Sequence, residues 1–171
     1  TLRNRDSSIP VIISYNMDFA KIIGYYLAEG CIINKSNTIE YTFGPTEGIL
    51  VKDLCDSLSH LSIHFKKVIW ANCIRVFINS GILKWLFLEI LRIGKNCETK
   101  QITTELLNTP EEFRWALLEA YLLGDGHTAK HGKSSFVITA VSKSKLLIDT
   151  LSYLLLSLGH TSSIEETYTD K

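Results

Sequence analysis

The stretch IIGYYLAEG, Ile22 to Gly30, reads as an apolar helix that stops on an acid and a glycine. Gly30 is easily explained, because a glycine just past the last turn takes the left-handed conformation that closes a helix. Glu29 is not. The last carbonyls of a helix already carry partial negative charge, so a carboxylate there is disfavoured by up to about 1 kcal/mol unless a cation or partner compensates.

The same arrangement occurs a second time. LEAYLLGDG, Leu118 to Gly126, aligns with the first stretch at a constant offset of 96 residues. Gly24 matches Ala120, Tyr25 matches Tyr121, Leu27 matches Leu123, Ala28 matches Gly124, and each copy ends acid-Gly. Downstream, TIEYTF (38–43) corresponds to SFVITAV (135–141), both β-branched or aromatic in the manner of strands. An amphipathic helix follows each, with Val51, Leu54, Leu58 and Leu61 on one stripe and Leu147, Leu151, Leu154 and Leu158 on the other. IHFKKVIWA (63–71) and TSSIEETY (161–168) then read as further strands, and in the first copy IRVFINS (74–80) and ILKWLFLEILRIG (82–94) add a strand and a helix. The expected architecture is α+β, a pseudo-twofold duplication of an αββαββα unit with an incomplete second copy. The expected divisions are a connector or leader at 1–15, a first repeat at 16–99, and a linker with a truncated second repeat at 100–171.

Helix starts are also legible. Asn16 or Asp18 caps the first motif helix, while Thr109, Pro110 and Glu112 supply a cap, a first-turn proline and a capping-box acid for the second.

Composition bounds the function classes. A chain of 171 residues with 46% apolar content can bury its own core, and its longest apolar runs are broken well short of a bilayer-spanning length. The N-terminus carries no secretory signal, so an intracellular protein is the expectation. Cys31, Cys55, Cys73 and Cys97 form no CxxC pair, which argues against zinc or a disulfide framework and suggests buried thiols. The 18 basic and 18 acidic side chains cancel, yet residues 66–100 hold seven basic groups against two acids. Lys66, Lys67, Arg75, Lys130, Lys133, Lys143 and Lys145 are therefore candidates for a phosphate-facing surface.

Small residues four apart, Gly24 with Ala28 and Ala120 with Gly124, give each motif helix a strip through which two helices approach closely. Paired in parallel, they bring Glu29 and Asp125 together at one end. Adjacent carboxylates at two helix C-termini call for a bridging cation, and hard divalent ions such as Mg²⁺ prefer oxygen ligands.

IIGYYLAEG and LEAYLLGDG resemble the two LAGLIDADG (dodecapeptide) motifs of homing endonucleases, in wording closest to the forms found inside inteins. The segment KQITTELLNTPEEFRWALLEAYLLGDG resembles the intein segment in which a lysine and an Ile-Pro pair precede the second motif, with Thr103 standing where proline is common. The resemblance implies saddle-shaped antiparallel sheets on double-stranded DNA, with the motif helices at their interface. It implies Glu29 and Asp125 as catalytic ligands of Mg²⁺ or Mn²⁺, and Lys100 as a catalytic lysine. Asn37, Glu40, Thr42, Lys66, Arg75, Lys133, Ser135 and Thr139 are the strand residues expected to read bases. A monomer with internal pseudo-symmetry follows from the same likeness.

Two departures qualify the pattern. Glu29 replaces the usual aspartate, and no position supplies the second active-site basic residue that the family places late in its second half. Residue 1 is neither Cys nor Ser and there is no terminal His-Asn, so the expectation is an endonuclease part without its splicing domain or host protein. The alternatives are a non-cleaving DNA- or RNA-binding member of the same fold, such as an intron maturase or degenerate homing domain, and a purely structural α+β domain.

Overall fold

In a computed structural model of the chain, residues 10, 12–33, 36–131 and 135–167 are described. The first motif helix, α1 (Met17–Glu29), starts where Asn16 Oδ1 accepts a hydrogen bond from the Phe19 amide at 2.9 Å. It runs directly into β1 (Gly30–Ile32), followed by β2 (Thr38–Phe43), α2 (Gly48–His60), β3 (Lys66–Ile69), β4 (Ile74–Asn79) and α3 (Gly81–Trp85). The last turn of that helix widens into a π-helical segment, Leu86–Ile90. The second half holds α4 (Thr104–Leu107), α5 (Glu111–Asp125), β5 (Gly126–His131), β6 (Ser135–Ala140) and α6 (Lys145–Ser157). No helix among the described residues is long and apolar enough to cross a membrane.

The first sheet has strand order β1-β2-β4-β3 and is antiparallel throughout. Its central strands bury one apolar face: Ile39, Tyr41 and Phe43 of β2 and Ile74, Val76 and Ile78 of β4 lie beneath the helices. Thr38, Glu40 and Thr42 share the other face with Arg75, Phe77 and Asn79 through the register Thr38–Asn79, Glu40–Phe77, Thr42–Arg75. The second sheet is the β5-β6 hairpin alone. Gly126 pairs with Ala140 where Gly30 pairs with Tyr41, so the repeats drift from an offset of 96 at the glycines to 99 at their partners. The longer second hairpin keeps the same face parity.

α1 and α5 pack in parallel: Phe19 meets Phe113 at one end, with ring centroids 6.4 Å apart, and Ala28 meets Gly124 at the other. A methyl group on Gly24 would collide with the Leu117 carbonyl and lie 2.8 Å from Ala120 Cβ; one on Gly124 would lie 2.6 Å from Ala28 Cβ. The predicted small-residue strips are thus the contact itself. The apolar stripes of α2 and α6 also face inward, with Val51, Leu54, Leu58, Leu147, Leu151 and Leu154 buried.

Several expectations are corrected. Gly30 has φ −90° and ψ 153°, extended rather than left-handed. What demands glycine is space, since a Cβ there would lie 2.7 Å from the Tyr26 carbonyl oxygen as the chain turns from helix to strand. Thr109 does not cap α5; its hydroxyl donates to the Leu106 carbonyl at 2.7 Å, and the helix begins one residue after Pro110. Residues 161–167 form no strand, and their part of 161–168 runs alongside α6 through Ser152–Ser162 and Lys145–Glu166 contacts. The cysteines are not buried: Cys31, Cys55 and Cys73 are half-buried and Cys97 is exposed.

Because the glycine strip is already in contact, Gly24→Ala should lower stability by about 1–3 kcal/mol, overpacking the interface despite the better helix propensity of alanine. Urea unfolding of the two chains measures it, and an unchanged or higher midpoint would show that the helices can part without cost.

Candidate active site at the paired helix ends

Each acid stands on the last residue of its helix because the glycine after it must turn into a strand. The Gly30 amide donates to the Tyr26 carbonyl and the Gly126 amide to the Leu122 carbonyl, closing α1 and α5 in the same way. Glu29 leans across the helix pair: a Cβ on Gly124 would lie 3.4 Å from Glu29 Cγ and 3.7 Å from Oε1. The strip that draws the helices together is therefore also what places one carboxylate beside the backbone that carries the other.

Lys100 arrives from outside both motifs. It is 4% exposed, and its Nζ donates to the Ala28 carbonyl at 3.0 Å, one of the orphan carbonyls at the end of α1. An ammonium at a helix C-terminus is favoured by the helix dipole, so this lysine supplies part of the compensation that Glu29 lacks. Its approach is built in steps. Gly94 takes a φ of +82°, a conformation open to glycine, and the chain folds back so that the Gln101 amide donates to the Ile93 carbonyl. Tyr26 Oη donates to the Gly94 carbonyl at 2.6 Å, and the same ring lies 5.6 Å below Lys100 Nζ. Ser144, which caps α6, donates its hydroxyl to the Lys100 carbonyl at 2.6 Å.

Burial and charge act on the three groups together. Burial, the Asp125 charge and the Glu47 charge push the Glu29 carboxyl up to about 7, against the pull of Lys100. Burial also raises Asp125, again opposed by Lys100. Lys100 is driven down by burial and held up by Asp125 and Glu29. Among the described residues, no group of three or more His, Cys, Asp or Glu side chains gathers to hold a metal. The site is a pair of half-buried carboxylates and one buried ammonium.

Tyr26, Ser144 and the Ala28 carbonyl were not singled out in the sequence. A signal for Tyr26 existed: it aligns with Leu122, so the polar ring occurs only in the copy that Lys100 reaches.

The other predicted residues separate by face. Glu40, Thr42 and Arg75 lie on the open face of the first sheet, and Lys66, paired with Phe77, joins them. Lys67 pairs with Val76, on the helix side, where its charge is felt by Cys55 of α2. Asn37 precedes β2 and abuts Gly81 at the start of α3. Thr139 pairs with His127, whereas Lys130 pairs with Phe136 on the opposite face of the hairpin, the face that carries Ala140 into the core. Lys143 is exposed between β6 and α6, and Lys145 bridges to Asp149 at 3.7 Å and Glu166 at 3.2 Å. Lys133 lies outside the described residues, and Ser135 is placed only by its backbone pairing with His131.

A carboxyl raised by folding binds its proton more tightly in the folded chain than in the unfolded one. Its contribution is therefore full below the ordinary glutamate value of 4.5 and is lost as pH rises toward about 7. Without divalent metal, the melting temperature should fall across that window, and Glu29→Gln should flatten the fall. An identical pH profile for both chains would contradict the burial of this charge.

Residues 112–171 match the family of LAGLIDADG-like domains. The whole chain aligns at 31% identity with uncharacterized protein MJ1054 of Methanocaldococcus jannaschii, and covers 20% of it. A DNA polymerase of Thermococcus litoralis is 32% identical over 88% of the chain, which covers 9% of that protein. The chain thus spans a fifth or less of these curated relatives. The crystal structure of I-DmoI in complex with DNA and Mn superposes with a TM-score of 0.61 at 12% identity, over 89% of this chain and 83% of that one. The N-terminal LAGLIDADG domain of DUF199/WhiA gives a TM-score of 0.64 at 11% identity, over 96% and 74%. These likenesses establish an α+β LAGLIDADG fold built on two paired motif helices, and residues 112–171 carry a LAGLIDADG-like domain.

Proposed function

We propose that the chain is a site-specific homing endonuclease of the intein type that hydrolyses both strands of DNA with Mg²⁺ or Mn²⁺. The observation that carries this reading is the convergence of Glu29 and Asp125 at the ends of glycine-packed parallel helices, with a buried Lys100 bonded to the Ala28 carbonyl and acted on by both charges. The donor set fits a hard divalent cation: two carboxylates, each held above its ordinary proton affinity by burial, gain when a second cation neutralises them. When bound, such a cation lowers the pKa of water and neutralises charge on phosphodiester oxygens. In this reading Glu29 and Asp125 hold it, and Lys100 stabilises negative charge that builds on the phosphate. Lys66, Arg75 and Thr42 would face the duplex from the open side of the first sheet, and Thr139 from the hairpin.

The likeness of 88% of the chain to 9% of a DNA polymerase supports an origin inside a much larger parent chain, and the homing endonuclease I-DmoI shares the fold. We read residues 16–99 as the first repeat and 100–171 as a linker with the second repeat of one monomer, with 1–15 as a connector or leader. A second reading, a non-cleaving nucleic-acid-binding member of the family, draws on one observation. Among the described residues Lys100 is the one cation whose charge acts on either acid.

Cleavage of a duplex site library with Mg²⁺ or Mn²⁺ separates the two. Glu29→Gln and Asp125→Asn should each lower cleavage by at least about 100-fold while the DNA is still retained. Equal cleavage by either variant would remove that acid from the site; retention without cleavage by the unaltered chain would favour the second reading.

A further inference from the structure

Arg75 lies in β4, between β2 and β3, on the open face of the first sheet. Glu40, Trp70 and Cys73 hold it, the last through a hydrogen bond to its guanidinium, and Thr42 supports Glu40 in turn. Its Nη1 donates to Glu40 Oε1 at 2.8 Å, its guanidinium lies 4.5 Å above the Trp70 ring, and the Thr42 hydroxyl donates to the same Glu40 oxygen at 3.2 Å. Glu40 is 9% exposed, so this carboxylate orients the arginine rather than meeting a ligand. The Arg75 side chain is 36% exposed, so part of it reaches solvent on the open face, while its Nε is buried.

Each terminal nitrogen of an arginine carries two hydrogens. Nη1 can hold Glu40 with one and, together with Nη2, offer two parallel N–H groups to a pair of adjacent acceptors. Two such pairs occur on DNA: two oxygens of a phosphate, or O6 and N7 of guanine in the major groove. The surroundings distinguish them. In the register, Arg75 stands between Thr42 and Val68, and the neighbouring row is Glu40, Phe77 and Lys66. The Glu40 carboxylate bonded to the guanidinium disfavours a phosphate at Arg75 itself, and Lys66 in the neighbouring row is the cation placed to meet one, whereas a base edge brings no net charge toward Glu40. An arginine fixed by a carboxylate and an aromatic ring has also lost its rotamer freedom before binding, which suits geometric readout.

We propose that Arg75 is a specificity-determining residue that reads one guanine in the target duplex, with Glu40 and Trp70 as its positioning residues. The proposal rests on the DNA-binding reading above and gives it a defined base at a defined strand position.

The test is to sequence the bound fraction of a randomised duplex library for the full chain and for Arg75→Ala, Arg75→Lys and Glu40→Gln, after thermal melts confirm that each variant is folded. The unaltered chain should enrich a motif with guanine at one position. Both Arg75 variants should lose that preference by about 10-fold or more while keeping the preferences elsewhere. Glu40→Gln should weaken the same position alone, an effect that general loosening of the sheet would not produce. Uniform loss of affinity across all sequences would make Arg75 a phosphate contact and overturn the proposal while leaving DNA binding intact. An unchanged motif in Arg75→Ala would overturn it as well. Failure of the unaltered chain to enrich any sequence would overturn it together with the reading of DNA specificity on which it rests.

Discussion

The contact between Gly24 and the Leu117–Ala120 turn, matched by Gly124 against Ala28, is the constraint on which the rest of the molecule depends. Two helices that touch without intervening side chains cannot rotate or slide far before backbone meets backbone. That rigidity holds the last residues of both helices at one place. The acids at those ends are half-buried as a consequence, and their raised proton affinity follows from being drawn out of water together. A wider interface, built on leucines, would separate the helix ends and return both carboxylates to solvent.

Around that fixed pair, the chain assembles a third group from a segment with no helix of its own. The π-helical turn at 86–90, the left-handed Gly94 and the Tyr26 hydroxyl steer residues 91–101 back over the end of α1, and Lys100 enters the gap. A buried ammonium survives there because a helix-terminal carbonyl accepts its hydrogen bond and two carboxylates offset its charge. The opening puzzle of an acid on the wrong end of a helix thus has an internal answer beside the metal-binding one. Lys100 offsets part of the unfavourable charge within the chain itself.

The sheet's open face follows the same economy of position. It carries most of the sheet's polar side chains, and its charges are already organised through Glu40, Arg75 and Trp70. The corresponding hairpin of the second half shows how weakly residue type alone foretells such a surface. Lys130, expected on a phosphate-facing surface, and Thr139, expected to read bases, were both assigned to DNA, yet the pairing of Lys130 with Phe136 and of Thr139 with His127 sends them to opposite faces. Lys66 and Lys67 part in the same way. Adjacent residues of a strand must point apart, and pairing register decides which of the two meets a ligand.

The duplication, the two motif helices, their small-residue strips, and the apolar stripes of α2 and α6 were all determined by the sequence alone. Each is a local periodic pattern, and two copies in register confirm one another. The α1 cap was narrowed to Asn16 or Asp18 for the same reason, being a contact three residues long, and Asn16 makes it. Tertiary structure decided what lies between distant segments. Lys100 meets Ala28 across 72 residues, the glycine at the end of α1 is required for space rather than for a left-handed turn, and Thr109 serves the α4 turn instead of capping α5. Local patterns depend on neighbours that the chain itself orders. A buried lysine depends on where a loop returns, and that is set only when the helices, the sheet and the loop have packed together.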